Sequence, residues 1–295
     1  VFLSLSWFGC QPILGQDRNE RDYTKALSLS RLAYDLEAFL SPVLAAALLA
    51  FMSFHVLFFG TTLGFLASAL LIITVALPTI RKKSEEIGFF SRVTFGSKIY
   101  LKTPRLRGLL GLCLTVATAG SMVIVNTVVY VREYLSGSDQ DVAIMLAAYG
   151  IGSMIIALLL PTILDRLRDR SVMMTGAIAA VVMMATASML PGYATALIIW
   201  MGFGAATALI LVPSGRLLVR SSQQEDRSAL FAAHFALSHA CWLITYPLAG
   251  WLGAILGLST AFLAMAGLGI VGLVAALLTW PRNDESILQN DFNGG

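Results

Sequence analysis

Residues 108–131 read GLLGLCLTVATAGSMVIVNTVVYV, 24 residues without a single charge. About 20 predominantly apolar residues in helical form cross a hydrocarbon core roughly 30 Å thick, and this stretch meets that length in one piece. A surface helix of a soluble protein would carry a polar face at this length. The rest of the chain has the same character. Hydrophobic residues make up 57% of the 295 and charged residues 13%, about half the roughly 25% of a soluble domain. A water-soluble fold cannot hide that much apolar surface, and a disordered chain needs the opposite balance. The expected fold class is therefore all-α integral membrane.

Comparable runs lie on both sides, at about 28–52, 55–78, 141–163, 172–190, 193–213, 229–255 and 258–280, which makes eight spans. Breaks are expected at Pro78, at SGSDQD (136–141), at LPGY (190–193) and at VPSG (212–215). The loops before the first span and after the even-numbered spans hold 18 of the 20 Lys and Arg residues. Arg31 lies inside a span, and Arg132 lies opposite among the acids Glu133, Asp139 and Asp141. By the positive-inside rule both ends of the chain are cytoplasmic.

The formal net charge of +3 is too slight to imply a nucleic-acid partner. Cys10, Cys113 and Cys241 are far apart in apolar stretches. They read as small packing residues, so neither metal nor cofactor is expected.

The longest polar stretch between spans is 79–107. It carries Arg81, Lys82, Lys83, Arg92, Lys98, Lys102, Arg105 and Arg107, interleaved with Phe89, Phe90, Phe95 and Tyr100. This composition suits a cytoplasmic linker whose amphipathic helix lies on anionic lipid. The chain then divides into residues 1–80 with two spans, a basic linker 81–107, a six-span unit 108–281 and a cytoplasmic tail 282–295. The opening VFLSLSWFGCQPILGQ (1–16) lacks an initiator Met and a signal-peptide pattern. It reads as the end of a span whose beginning is missing, so the chain is expected to be truncated.

Two spans, a basic linker and six further spans with tiny outer loops resemble the last eight of the twelve helices of a major facilitator superfamily transporter. The resemblance implies helices 5 to 12 here, with both six-helix halves facing a central substrate path. PTILDRLRDR (161–170) is similar to that family's G-x-x-x-D-R-x-G-R-R loop. Asp165, Arg166 and Arg170 match it, whereas Pro161, Arg168 and Asp169 depart from it. An acid and several bases at a helix end can lock one face of the bundle, or can simply form a solvated positive-inside turn. LSP (40–42) resembles the Gly-Pro signature of helix 5 in the family's antiporters, with Ser41 in place of Gly. A proline within the membrane bends its helix, so Pro42 is an expected bend. Setting Pro42 over Pro247 aligns the first span with the seventh, as internal repeats of transporters do.

Charges inside a span are costly and mark function. If the first span begins near Ser28, the helical rise places Arg31 roughly 5 Å deep, Asp35 roughly 10 Å and Glu37 roughly 14 Å. Arg31 and Asp35 are four apart and neutralise one another, which makes Asp35 structural. Glu37 points elsewhere and is the expected proton or substrate carrier. A start nearer Phe39 would instead leave all three at the wet interface. In the seventh span His239, Trp242 and Tyr246 share one face, with His234 elsewhere on the helix. Asn126 is the amide well inside a helix and suits a bond across helices.

The implied function is secondary transport by alternating access, moving a small organic solute by proton-coupled efflux. The partners are that solute and the bilayer. A monomer in a bacterial inner membrane is expected for the full-length protein. The rivals are a non-transporting remnant and a polytopic membrane enzyme. For the latter no H-E-x-x-H, G-x-S-x-G, paired intramembrane aspartates or nucleotide-binding loop is present.

Overall fold

The computed structural model describes residues 54–74, 89–223 and 226–281, together with Lys25, Ser28, Leu29 and Leu32. Among the described residues the regular structure is helical. The order is α1 Phe54–Thr74, α2 Phe89–Lys102, α3 Pro104–Val129, α4 Asp139–Leu164, α5 Asp169–Ala187, α6 Tyr193–Arg220, α7 Arg227–Leu256 and α8 Leu258–Thr279. Helices α3 to α8 are each long and apolar enough to cross a membrane. Each overlaps one of the six spans read at 108–280. The span read at 55–78 is α1, whose apolar stretch Phe58–Leu70 is shorter than those six. The span at 28–52, with Pro42, lies outside the described residues, as do Pro78 and the tail from 282.

Local chemistry sets the helix ends. Pro104 opens α3 directly after Thr103, where its missing N–H costs nothing. Ser138 and Asp141 form a reciprocal capping box that starts α4. Gly257 joins α7 to α8 at φ 81°, a left-handed conformation that suits a residue without Cβ. Beyond Val129, α3 continues as a π-helical turn over Tyr130–Tyr134.

The bundle pairs α3 with α8, α4 with α6, α5 with α6, and α3 with α7. Without a hydrophobic drive between helices in lipid, close packing must hold such pairs together. The α4–α6 crossing shows how. A Cβ on Gly152 would lie 1.8 Å from the Met201 carbonyl, and one on Gly204 1.8 Å from that of Tyr149. Polar bonds add to the packing: Thr115 Oγ1 donates to Gly269 O at 2.9 Å, between α3 and α8. Near the 188–192 turn, Trp200, Tyr130, Phe203 and Phe262 form a fully buried aromatic cluster. Trp200 Nε1 donates to Thr127 Oγ1 at 2.8 Å, and the Tyr130 and Tyr134 hydroxyls donate to the carbonyls of Pro191 and Leu190.

Three expectations are corrected. VPSG does not break its span, because α6 runs through Pro213 to Arg220. A helix-interior proline costs about 3 kcal/mol. Here burial of Ser214, Gly215, Leu217 and Leu218 against neighbouring helices offsets it, and Ser214 Oγ bonds back to Leu211 O at 2.6 Å. The fifth span, read at about 172–190, starts and ends three residues earlier as Asp169–Ala187, so Asp169 enters the helix. Helix α2 is not simply laid on lipid, because it packs on α7.

Candidate functional site

Helix α7 carries two different faces. Leu230, His234, Thr245, Ala249 and Leu252 are buried in the bundle, while Phe235 and His239 are exposed and Trp242 and Tyr246 half-buried. The structure therefore brings His239, Trp242 and Tyr246 onto one accessible face, as their spacing predicts. His239 Nδ1 donates to Phe235 O at 2.8 Å, and the two rings are 3.9 Å apart between centroids. Trp242 and Tyr246 rings pack at 5.0 Å with a 36° tilt. This surface combines an imidazole with amphipathic aromatic rings, which suits a solute with both polar and apolar parts.

Pro247 lies inside α7, one residue past Tyr246. Its ring removes a backbone bond and weakens the helix just where Asn126 arrives from α3. Asn126 Nδ2 donates to Ala249 O at 3.2 Å and approaches Met122 Sδ at 3.4 Å. Asn126 is buried, and it bonds across helices as its amide chemistry suggested.

The first-span set, Arg31, Asp35 and Glu37, lies outside the described residues. The loop residues Asp165, Arg166 and Arg170, expected as a cytoplasmic gate, are described, and the structure separates them. Asp165 caps α4 and is exposed beside exposed Arg166. Arg170 Nε donates to Trp280 O at 3.1 Å, tying α5 to the end of α8.

The buried charge cluster at this end was missed by the reading of the sequence. Asp169, 2% exposed, faces Arg216 and Arg220 of α6. Arg220 Nη1 donates to Oδ2 at 2.9 Å and Arg216 Nε to the same oxygen at 3.3 Å. Arg216 Nη2 stands 2.8 Å from Oδ1 as a charge contact without hydrogen-bond alignment. Arg105 Nη2 donates to Arg220 O at 3.1 Å, placing a cation at a helix C-terminus. Asp169 had counted only as a departure from the loop pattern. The signal that could have found it was Arg216 and Arg220, four apart beyond Pro213 and on the same helix face once the helix is continued.

A second polar pair joins α2 to the bundle. The Tyr100 hydroxyl lies 3.0 Å from His234 Nδ1, with rings 5.8 Å apart and nearly parallel. Tyr100 is fully buried, and burial pushes its phenol well above its usual range, so it stays neutral.

Among the described residues the structure is thus a bundle of six helices of membrane length, with an accessible polar–aromatic face and a proline on α7 and a charge cluster at one end. The family model of the Major Facilitator Superfamily matches residues 109–294, and the chain belongs to that family. Its members are transporters and not enzymes. Two solved structures are similar in fold. One is a single-substitution variant of the E. coli fucose:proton symporter FucP, with a TM-score of 0.67 and 15% identity over 93% of this chain and 73% of that one. The other is FucP described as a Major Facilitator Superfamily transporter in the outward conformation, with a TM-score of 0.64 and 14% identity over 93% and 72%. No curated protein matches the sequence.

Proposed function

We propose that the protein is a proton-coupled secondary transporter that exports a small organic solute by alternating access. The observation that carries this reading is the accessible face of α7, where His239, Trp242 and Tyr246 lie along the roughly two turns that precede Pro247. A helix bent at that point can change which side of the membrane its polar face meets. Glu37 carries the proton in this account, because a desolvated carboxyl without a fixed cation favours its protonated form. Asp35 stays paired with Arg31. Pro42 supplies the equivalent bend in the first half.

The basic end of the bundle is cytoplasmic, as the distribution of Lys and Arg supports. There Asp165, Arg166 and Arg170 bias the inward-facing equilibrium, while Asp169 with Arg216 and Arg220 holds α5 and α6 together. The protein acts as a monomer in the inner membrane of a bacterium. Export is supported by the LSP and loop patterns. A second reading, uptake by symport, is favoured by the likeness in fold to the fucose:proton symporter FucP.

Flux in oriented vesicles separates the two. Everted vesicles that accumulate radiolabelled L-fucose or another small solute under an inwardly acidic gradient support export. Accumulation confined to right-side-out vesicles under an outwardly acidic gradient replaces export with symport. In either orientation Trp242→Ala should raise KM roughly tenfold or more, as loss of an apolar contact does.

A further inference from the structure

We infer that Gly120 of α3 seats the indole of Trp242 and so sets how far that ring reaches from α7 into the substrate path. This rests on the reading of the α7 face as lining that path. The geometry is direct. A Cβ built on Gly120 would lie 2.2 Å from Trp242 Cη2, 2.9 Å from Cζ3 and 3.2 Å from Cζ2. Carbon atoms rest at about 3.5–4.0 Å, so one added methyl group must displace the ring by more than about 1 Å.

The crossing of α3 and α7 is tied and tightly packed nearby. Six residues further along α3, Asn126 Nδ2 bonds to Ala249 O at 3.2 Å. A Cβ on Gly253 would meet Asn126 Oδ1 at 2.5 Å, so α3 and α7 already run as close as their side chains allow. The atoms met are the far edge of the indole and not backbone, so the ring is the part that yields. It is packed on Tyr246 at 5.0 Å, so its shift carries into the second aromatic ring of the face. Gly120 thus acts through Trp242 as a positioning residue: its missing side chain holds the indole back against α3 and keeps the path open.

The test uses the protein biosynthetically labelled with 5-fluorotryptophan, in nanodiscs, read by fluorine NMR. The resonance of Trp242 is identified by its loss in Trp242→Phe. Gly120→Ala should move that resonance by more than its linewidth and enlarge its shift between H2O and D2O, while Trp200 in the aromatic cluster stays in place. An unmoved Trp242 resonance overturns the inference. Movement of Trp200 together with Trp242 also overturns it, since that is general loosening of the bundle. If Gly120→Ala folds poorly, Gly120→Ala with Trp242→Phe should restore folding, because the smaller ring makes room. Failure of that double variant to fold shows that the clash lies elsewhere and rejects the seat.

The underlying site reading is tested separately. Tyr246→Cys, in a background without Cys10, Cys113 and Cys241, should react with a water-soluble thiol reagent. No reaction there removes the aqueous path and with it the claim that Gly120 shapes one, whatever the resonance of Trp242 does.

Discussion

Replacing Asp169 with Asn perturbs the most deeply buried charge that the structure describes. The carboxylate is 2% exposed and faces two guanidinium groups, Arg216 at 11% and Arg220 at 26%. Removing one partner of a buried pair costs roughly 3–5 kcal/mol, because the other charge is left without its counter-ion. Asn keeps an oxygen that can accept from Arg220, and Arg220 is partly hydrated. We therefore expect about 2–3 kcal/mol for Asp169→Asn, below the full range for a buried pair. For a helical unit of this size each kcal/mol lowers Tm by about 2–4 °C, which gives a fall of roughly 4–12 °C. The assay is thermal unfolding in detergent followed by size-exclusion chromatography. Asp165→Asn, on the exposed turn four residues earlier, is the control and should unfold close to wild type. Adding Arg216→Gln to Asp169→Asn should recover part of the loss, since two charges that offset one another are then both gone. The reasoning is refuted if Asp169→Asn unfolds together with Asp165→Asn, or if the double variant is simply the sum of its parts.

Other predictions concern orientation, coupling and the docked helix. Single cysteines at Ser97 and Ser138 should react differently with an impermeant reagent added outside, with labelling at Ser138 and none at Ser97; the reverse pattern inverts the topology. Glu37→Gln should abolish gradient-driven flux while downhill exchange survives, whereas full coupling in Glu37→Gln and its loss in Asp35→Asn would exchange the two roles. Tyr100→Phe should loosen α2 from α7 by about 1 kcal/mol, seen as faster hydrogen exchange over residues 89–102. Because burial raises the Tyr100 phenol above its unfolded value, docking should hold from pH 7 to about pH 10 and weaken as pH rises beyond it. Loss of docking on acidification from pH 9 to pH 7 would contradict that sign. Asn126→Leu should destabilise the α3–α7 crossing modestly, by roughly 0.5–2 kcal/mol, read by the same thermal assay.

The sequence disclosed most of the fold because a bilayer imposes length. An uncharged run such as 108–131 has few other solutions, and six of the spans read this way are helices of membrane length. It failed at VPSG because turn chemistry learned from water-exposed loops overstates Pro and Gly inside a packed bundle, where the residues around Pro213 are buried and the helix continues. That single error hid Arg216 and Arg220, which then counted as loop charges, and with them the role of Asp169. The face of His239, Trp242 and Tyr246 was legible because spacing within one helix fixes it. Contacts between helices were not. Nothing in residues 79–107 says that Tyr100 reaches His234, since its aromatic and basic residues suit lipid equally well. Asn126 could be assigned a bond across helices from chemistry alone, but its partner Ala249 emerges only from the crossing of α3 and α7. The seat at Gly120 is a missing atom, and a sequence shows no neighbour for it.

The central claim is that this protein couples proton movement to the passage of a small solute. The most direct measurement places the intact protein in liposomes loaded with a pH-sensitive dye and adds L-fucose, then other small organic solutes, without an imposed gradient. The account predicts that a transported solute changes the internal pH beyond protein-free vesicles, and that the change disappears in Glu37→Gln and shrinks in Trp242→Ala. Solute movement with no proton signal would contradict the coupling, and a proton signal untouched by both substitutions would contradict the site.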